Sequence, residues 1–210
     1  MLFIKGTPKS TEDSFSLKLA EQFLSTYKEK NPGSTVEMLD LYSEDIPLLD
    51  ADVLSAWGKF QTGKAGELTP TETQKITRLN VLQDQFLRAQ HIVLAAPVWN
   101  FGYPPLVKAY IDAAVVVAGK TFSFGEGGSV GLLKGQGKKF IVLEAAGGIY
   151  TGTPMEQFTV WRQHLKGVLG FIGIDDVTFI AAEGVNADPS AAQKILNETI
   201  EKAQSVAQSL

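Results

Sequence analysis

The chain has 210 residues, of which 44% are hydrophobic and 20% charged, with 19 Lys and Arg against 23 Asp and Glu. This globular composition excludes a chain that is disordered throughout. Because Cys is absent and only two His are present, disulfides, thiolate metal sites, a cysteine nucleophile and a three-His zinc site are excluded, and we expect no metal. The net charge of −4 and the lack of a long apolar run predict a cytoplasmic protein that binds neither nucleic acid nor membrane.

The first third of the chain predicts a strand, a helix and a second strand. Residues 2–4 form an apolar run that is typical of a strand buried on both faces. Asp13, Ser14 or Ser16 can cap the helix that follows, and the Asn-Pro-Gly at 31–33 ends it. Residues 35–41 then predict a second strand. The strand, the helix and this second strand together are the building unit of a parallel sheet.

The middle of the chain predicts two helices before a central strand. Asp50 can cap a short helix over residues 51–57, and residues 58–66 are predicted to be a mobile loop. Thr69, Pro70 and Glu72 predict a capping box that starts a longer helix. The run 91–96 then predicts the central strand.

The remaining elements complete a doubly wound α/β fold. We predict helices over about 106–117, 155–169 and 189–210, strands over 139–145 and 176–182, and a hairpin excursion at about 119–137, which holds seven glycines. Five strand–helix units without a linker predict one domain over residues 1–210, with a five-stranded parallel sheet and helices on both faces.

Ligands of such sheets bind outside the carboxyl ends of the strands, which draws attention to three loops. The first, residues 5–16, carries Thr7, Ser14 and Ser16 before a helix, an arrangement that can cradle a phosphate. It lacks the G-x-G-x-x-G of dinucleotide sites, so a single phosphate is favoured over a pyrophosphate. The alternative is that these hydroxyls only cap the helix.

The other two loops offer a surface and a set of donors for a flat ring. Trp99, Phe101 and Tyr103 surround Asn100 in the proline-stiffened loop 97–105, where they can stack on a ring or, alternatively, cap the core. The stretch 145–148, Ala-Ala-Gly-Gly, brings backbone N–H groups close to a ligand or, alternatively, makes a tight turn. Together the three loops describe a site for flavin mononucleotide (FMN).

The same residues resemble a known family. The segments 5–7 (Lys-Gly-Thr) and 14–16 (Ser-Phe-Ser), the Pro-Val-Trp-Asn-Phe loop at 97–101 and the Gly-Gly-Ile-Tyr at 147–150 are similar to those of the FMN-dependent NADH-azoreductases, also called NADH:quinone oxidoreductases. The segments 118–122 and 170–173 add to the likeness, which spans nearly the whole chain. It implies a flavodoxin-like fold.

The resemblance also implies an activity and an assembly. The expected reaction is two-electron, ping-pong hydride transfer from NADH or NADPH through bound FMN to quinones and azo compounds, in a homodimer with both sites at the subunit interface. Tyr150 is the candidate proton donor, a role that water can also fill, and Phe124 and Phe171 are expected walls of the substrate pocket. The residues implied in cofactor binding are Thr7, Ser14, Phe15, Ser16, Pro97, Val98, Trp99, Asn100, Phe101, Ala145, Gly147, Gly148 and Tyr150.

Two positions depart from the family pattern. Ala145 and Ala146 stand where close relatives commonly carry polar residues such as Ser-Arg or Ser-Asn. The departure implies weaker FMN binding, a shifted flavin potential or a changed nucleotide preference. Thr7 replaces a common Ser and keeps the hydroxyl.

Three other interpretations are weighed against this one. A P-loop over residues 58–64 would need Ser or Thr at Ala65 and a preceding strand. A nucleophile elbow at Ser129 would need a full helix after it, whereas a strand is predicted close behind. The remaining alternative is a flavodoxin-like electron carrier or redox sensor that turns over no small acceptor.

Overall fold

A computed structural model describes all residues, 1–210. Its main sheet has five parallel strands, as the sequence predicted. The strands are β1 (Leu2–Lys5), β2 (Glu37–Asp40), β3 (His91–Pro97), β6 (Lys139–Ala146) and β7 (Asp176–Glu183). Their order across the sheet is β2-β1-β3-β6-β7. Strand order reverses between β1 and β3, so the loops after these two strands face each other across the switch point.

Helices cover both faces of the sheet. They are α1 (Phe15–Lys30), α2 (Ala51–Gln61), α3 (Pro70–Arg88), α4 (Pro105–Tyr110), α5 (Val160–Ile172) and α6 (Ala192–Gln208). Side chains alternate along each strand, as a sheet buried on both faces requires. In β6, Phe140 and Val142 pack in the core below α2 to α5, whereas Ile141 and Leu143 pack in the core below α1 and α6.

Between α4 and β6 the chain leaves the sheet. Strands β4 (Phe122–Gly125) and β5 (Gly128–Gly131) pair antiparallel as a separate hairpin. The hairpin packs closely on the end of α5, because a Cβ added at Gly131 would lie only 2.4 Å from the backbone carbon of Ile172. A Cβ at Gly173 would likewise lie 2.4 Å from the backbone nitrogen of Lys134.

Several element ends differ from the sequence prediction. Residues 58–61 are the last turn of α2 and 65–67 form a 3₁₀ turn, so most of the expected mobile loop is regular. Lys59 holds this region, since its ammonium donates to Glu72 and to the carbonyl of Glu67. Helix α4 continues only as a π-helix over Ile111–Val115, where Val116 N–H donates to the carbonyl of Ile111.

The last two predicted helices also start later than expected. Residues 154–158 form a 3₁₀ turn that Thr153 caps, and α5 begins at Val160. Asp188 accepts the N–H groups of Ser190 and Ala191, which delays α6 until Ala192. No helix of the structure has the length and hydropathy needed to cross a membrane.

Candidate active site

The first loop carries three buried hydroxyl groups, two of which lie together at the start of α1. Thr7, Ser14 and Ser16 are all buried, and the hydroxyl oxygens of Ser14 and Ser16 lie 3.1 Å apart. Ser14 is the N-cap and accepts a long hydrogen bond, 3.4 Å, from the N–H of Leu17. The backbone N–H groups of Phe15 and Ser16 lie in the first turn of α1 and therefore have no acceptor within the helix. Hydroxyl and backbone donors at a helix N-terminus can hold a phosphate.

The second loop is a tight aromatic turn. Trp99 and Gly102 exchange both backbone hydrogen bonds, at 2.8 and 2.9 Å, and the residues between them, Asn100 and Phe101, have φ of 47° and 61°. Two positive φ values between paired residues are typical of a type I′ turn. The turn leaves Trp99 and Phe101 37% and 47% exposed, and therefore able to stack on a flat ligand.

The third loop has its carbonyl groups paired and two of its N–H groups free. The carbonyl of Gly147 accepts from Asn186 and Ala187, and the carbonyl of Gly148 accepts from Gly184. The N–H groups of Gly147 and Gly148 have no acceptor within the chain. A Cβ at Gly147 would lie 2.8 Å from the side-chain nitrogen of Asn186, so any larger residue there would have to displace that side chain. Two fixed donors can therefore bind a ring carbonyl.

Aromatic side chains connect the second and third loops. Tyr150 packs edge-on against Phe101 and Trp161, at centroid distances of 6.3 and 5.1 Å. Beside this group lies a cavity of about 310 Å³, which Phe101, Trp161 and His164 line with five other residues. The Tyr150 ring also lies near Gly148, 3.5 Å from where a Cβ of that residue would be. The exposed aromatic side chains of the second loop and the free N–H groups of the third loop therefore lie near each other at the carboxyl ends of the strands.

Beneath the loops lies an ion network that the sequence interpretation missed. Glu144 in β6 is completely buried, and its carboxylate accepts hydrogen bonds from Tyr103, Trp161 and Arg162. Arg162 also donates to Glu183 at the end of β7, at 2.5 Å. The sequence did contain a signal for this network, which is the charged residue Glu144 inside an apolar run. A carboxylate that is buried in a sheet requires hydrogen-bonding partners.

The pKa values of this network follow from burial and hydrogen bonding. Burial raises the pKa of Glu144, although Arg162, Tyr103 and Trp161 act in the opposite direction. For Glu183 burial is also the largest effect and favours the neutral form. The N–H groups of Thr151 and Tyr150, together with Arg162, outweigh it and lower the pKa of Glu183. Burial and the charge of Glu144 raise the pKa of Tyr103 well above its usual value.

The predicted pocket walls, Phe124 and Phe171, lie elsewhere in the chain. Phe124 in β4 is 79% exposed and packs edge-on against Phe122, which also contacts Phe171 at a centroid distance of 4.9 Å. Phe171 follows Trp161 by ten residues along α5, about 15 Å at the helical rise. One chain therefore does not bring Phe124 and Phe171 to the three loops.

A family model described as flavodoxin-like fold matches residues 1–207. FMN-dependent NADH:quinone oxidoreductase 2 of Bacillus thuringiensis subsp. konkukian is 43% identical over 208 residues, which cover 99% of this chain and 97% of that protein. The chain belongs to the family of FMN-dependent NADH:quinone oxidoreductases. A Bacillus velezensis member of this family is 39% identical, with 100% and 98% covered.

Solved structures agree with this family assignment. The azoreductase from Bacillus anthracis str. Sterne superposes with a TM-score of 0.91 at 33% identity, covering 100% of this chain and 98% of that one. An FMN-dependent NADH-azoreductase from Bacillus anthracis str. Ames Ancestor, solved in complex with FMN, gives a TM-score of 0.88 at 35% identity, with 98% of each chain covered. The family and the fold that the sequence predicted are confirmed.

Proposed function

We propose that this chain is an FMN-dependent oxidoreductase that takes hydride from NADH and reduces quinones and azo compounds. The observation that carries the proposal is the set of buried hydroxyls and unpaired N–H groups at three neighbouring strand ends. It occurs in a chain that is 43% identical, over almost its whole length, to a relative named for this activity.

The residues at the strand ends fit the parts of FMN. The hydroxyls of Thr7, Ser14 and Ser16 with the start of α1 suit the phosphate, since they offer donors to an anion. The free N–H groups of Gly147 and Gly148 suit a carbonyl of the ring. The ring contacts that we propose come from Phe15, Pro97, Val98, Trp99, Asn100, Phe101, Ala145 and Tyr150. Ala145 and Ala146 are buried, so at these positions the loop presents backbone rather than side chains.

When bound, FMN accepts a hydride and passes two electrons on, which is chemistry that the protein side chains lack. The chain itself holds the ring, stacks the donor and the acceptor against it, and excludes water. A quinone takes up two electrons and two protons, and we propose the Tyr150 hydroxyl or water as a proton source. Cleavage of an azo bond to two amines takes twice as many electrons, hence two molecules of NADH. Because one pocket serves donor and acceptor in turn, we expect ping-pong kinetics.

We also propose that two copies of this chain form the working enzyme. Large apolar side chains are exposed beside the site and on the hairpin, and such patches are typical of interfaces. They are Trp99, Phe101, Phe124, Val130, Ile149, Phe158, Val160 and Phe171. A second subunit could bring Phe124 and Phe171 to the loops, which one chain does not do. A reduced nicotinamide donor further favours a cytoplasmic location.

The test is the visible absorption spectrum of the protein with FMN, recorded without air before and after NADH. We expect a flavin spectrum that bleaches with NADH and returns when a quinone is added. Parallel double-reciprocal plots in the steady state would support the ping-pong order. Failure to bind FMN would contradict the proposal, and bound flavin that stays oxidised would favour an electron carrier or sensor.

A further inference from the structure

Glu144 connects the aromatic turn to the start of α5. Its Oε2 accepts from the Tyr103 hydroxyl at 2.9 Å and from the Trp161 indole N–H at 3.1 Å, and its Oε1 accepts from Arg162 Nε at 2.6 Å. Trp161 and Arg162 can only donate and Tyr103 can donate as well, so the arrangement favours the ionised carboxylate, against the effect of burial. Tyr103 directly follows the residues of the tight turn, and its position is therefore fixed to β6.

Arg162 carries the connection to the glycine loop. Its guanidinium donates to Glu183 Oε1 at 2.5 Å and to the Thr151 hydroxyl at 3.1 Å. Glu183 in turn accepts the backbone N–H groups of Tyr150 and Thr151 at 2.7 and 2.8 Å. These two residues follow Gly148 by two and three positions. The three charged groups therefore link both loops that form the proposed ring site.

Burial makes this arrangement unusual. The side chain of Glu144 is 0% exposed, and its neighbours Phe140 and Val142 on the same face of β6 are apolar. Burying an ion pair costs desolvation, and apolar residues of similar volume are often at least as stabilising. Stability alone therefore does not account for a charge at this position, whereas the geometry of the two loops does.

We propose that Glu144 is a positioning residue that acts through Arg162 and Glu183 to hold the aromatic turn and the glycine loop at the spacing that FMN requires. The expected effect on FMN affinity rests on the proposed function. The structural part of the inference is that Glu144 keeps the two loops in a fixed conformation, and this part concerns the protein without FMN.

The first variant is Glu144→Gln, which keeps the shape but turns one acceptor into an NH₂ group facing donors. In the apoprotein we expect faster amide hydrogen exchange in residues 99–104 and 147–153, measured by mass spectrometry. We expect FMN to bind about 10- to 100-fold more weakly, measured by quenching of flavin fluorescence, because charge-assisted hydrogen bonds are lost. Tyr103→Phe removes one donor only, and we expect a change of a few-fold in the same direction if Glu144→Gln fails to fold.

Lys138→Met is the matched control, at the residue that directly precedes β6. The Lys138 ammonium is also buried and donates to the carbonyls of Leu87 and Ala89, far from the loops. We expect this variant to lower the unfolding temperature without changing loop exchange or FMN affinity. Faster exchange in Glu144→Gln alone would support the proposal, even if the wild type bound no FMN and the proposed function failed. Wild-type exchange in Glu144→Gln, or an FMN affinity within twofold of a wild type that binds, would overturn it.

Discussion

At Asn100 and Phe101 the backbone adopts left-handed conformations that L-residues rarely take. Asn tolerates a positive φ better than most residues, whereas this conformation is unfavourable for a bulky aromatic residue such as Phe101. The paired bonds between Trp99 and Gly102 hold both residues in place. Strained backbone of this kind is concentrated at functional sites, and here it exposes two aromatic side chains at the end of β3.

Asn100 lets the backbone and the side chain be tested separately. We expect Asn100→Gly to keep the turn and leave the free energy of unfolding nearly unchanged, while FMN binds roughly tenfold more weakly because the amide is lost. Asn100→Ala should cost about 1 kcal/mol in addition, since Ala disfavours positive φ. Urea denaturation and flavin-fluorescence titration measure the two effects. Equal FMN affinity in Asn100→Gly and the wild type would argue against contact between this amide and the flavin.

Residue type alone reveals part of the candidate site. Hydroxyls before a helix, aromatics around Asn100 and a Gly-Gly after a strand are visible in the sequence. The role of Glu144 is not, because its partners lie 17, 18 and 41 positions away along the chain. Asn186, which packs against Gly147, is hidden for the same reason.

Among the elements, α2 and α3 are connected by one buried carboxylate, in addition to the ion pairs of Lys75 with Asp50 and Asp52. Glu72 closes the capping box of α3 by accepting the N–H of Thr69, and it also binds the ammonium of Lys59 in the last turn of α2. Its hydrogen bond from Lys59 is the largest of the effects that lower its pKa to about 2. The folded state therefore favours the charged form.

The pH dependence of stability follows from this pKa. Because the folded value, about 2, lies below the ordinary 4.5, the stabilisation is fully present above about pH 4.5 and is lost as pH falls towards 2. We expect Glu72→Gln to unfold at a lower temperature than the wild type at pH 6, with the difference closing towards pH 2. Glu198→Gln, at an exposed ion pair of 3.8 Å, is the control and should show little difference at any pH. A constant gap for Glu72→Gln would contradict the assignment.

Helix starts that carry a side-chain cap are more predictable than helix ends, whereas α5 and α6, whose starts have no such cap, begin later than predicted. The Thr69 capping box and the Asp50 cap occur where the sequence predicted them, because caps are local. Helix α2 extends past Trp57 since Lys59 finds its partner 13 positions later, which no local pattern shows. The π-helix after α4 was likewise not predicted, because the helical spacing of apolar residues does not distinguish it from an α-helix.

For the molecule as a whole, the alternation of apolar strands and amphipathic helices was sufficient to predict a doubly wound, five-stranded parallel sheet. Right-handed crossovers leave few ways to arrange five such units, and the switch point then follows. The docking of the hairpin on α5 was not predictable. It depends on the close approach of Gly131 to the backbone of Ile172, and sequence spacing does not encode that contact.

The proposed dimer gives a prediction at this scale. We expect sedimentation equilibrium to give twice the monomer mass, and a single unfolding transition whose midpoint rises with protein concentration. Phe124→Asp should shift the equilibrium towards monomer, because it places a charge on an exposed apolar side chain of the hairpin. Val81→Asp on α3, where the residue is also exposed, should leave the mass unchanged. A wild type that sediments as a monomer would refute the assembly.

The pairing of the glycine loop has a consequence for biosynthesis. The carbonyls of Gly147 and Gly148 are held by Gly184, Asn186 and Ala187, so the loop has no partners until those residues have been translated. Helix α6, which packs against α1, is translated later still. Because domains complete their folding as units, a nascent chain cannot present a finished pocket. We therefore expect FMN to bind only after residues 184–187 have folded against the loop, and a ribosome-stalled chain that ends before residue 184 should capture no flavin.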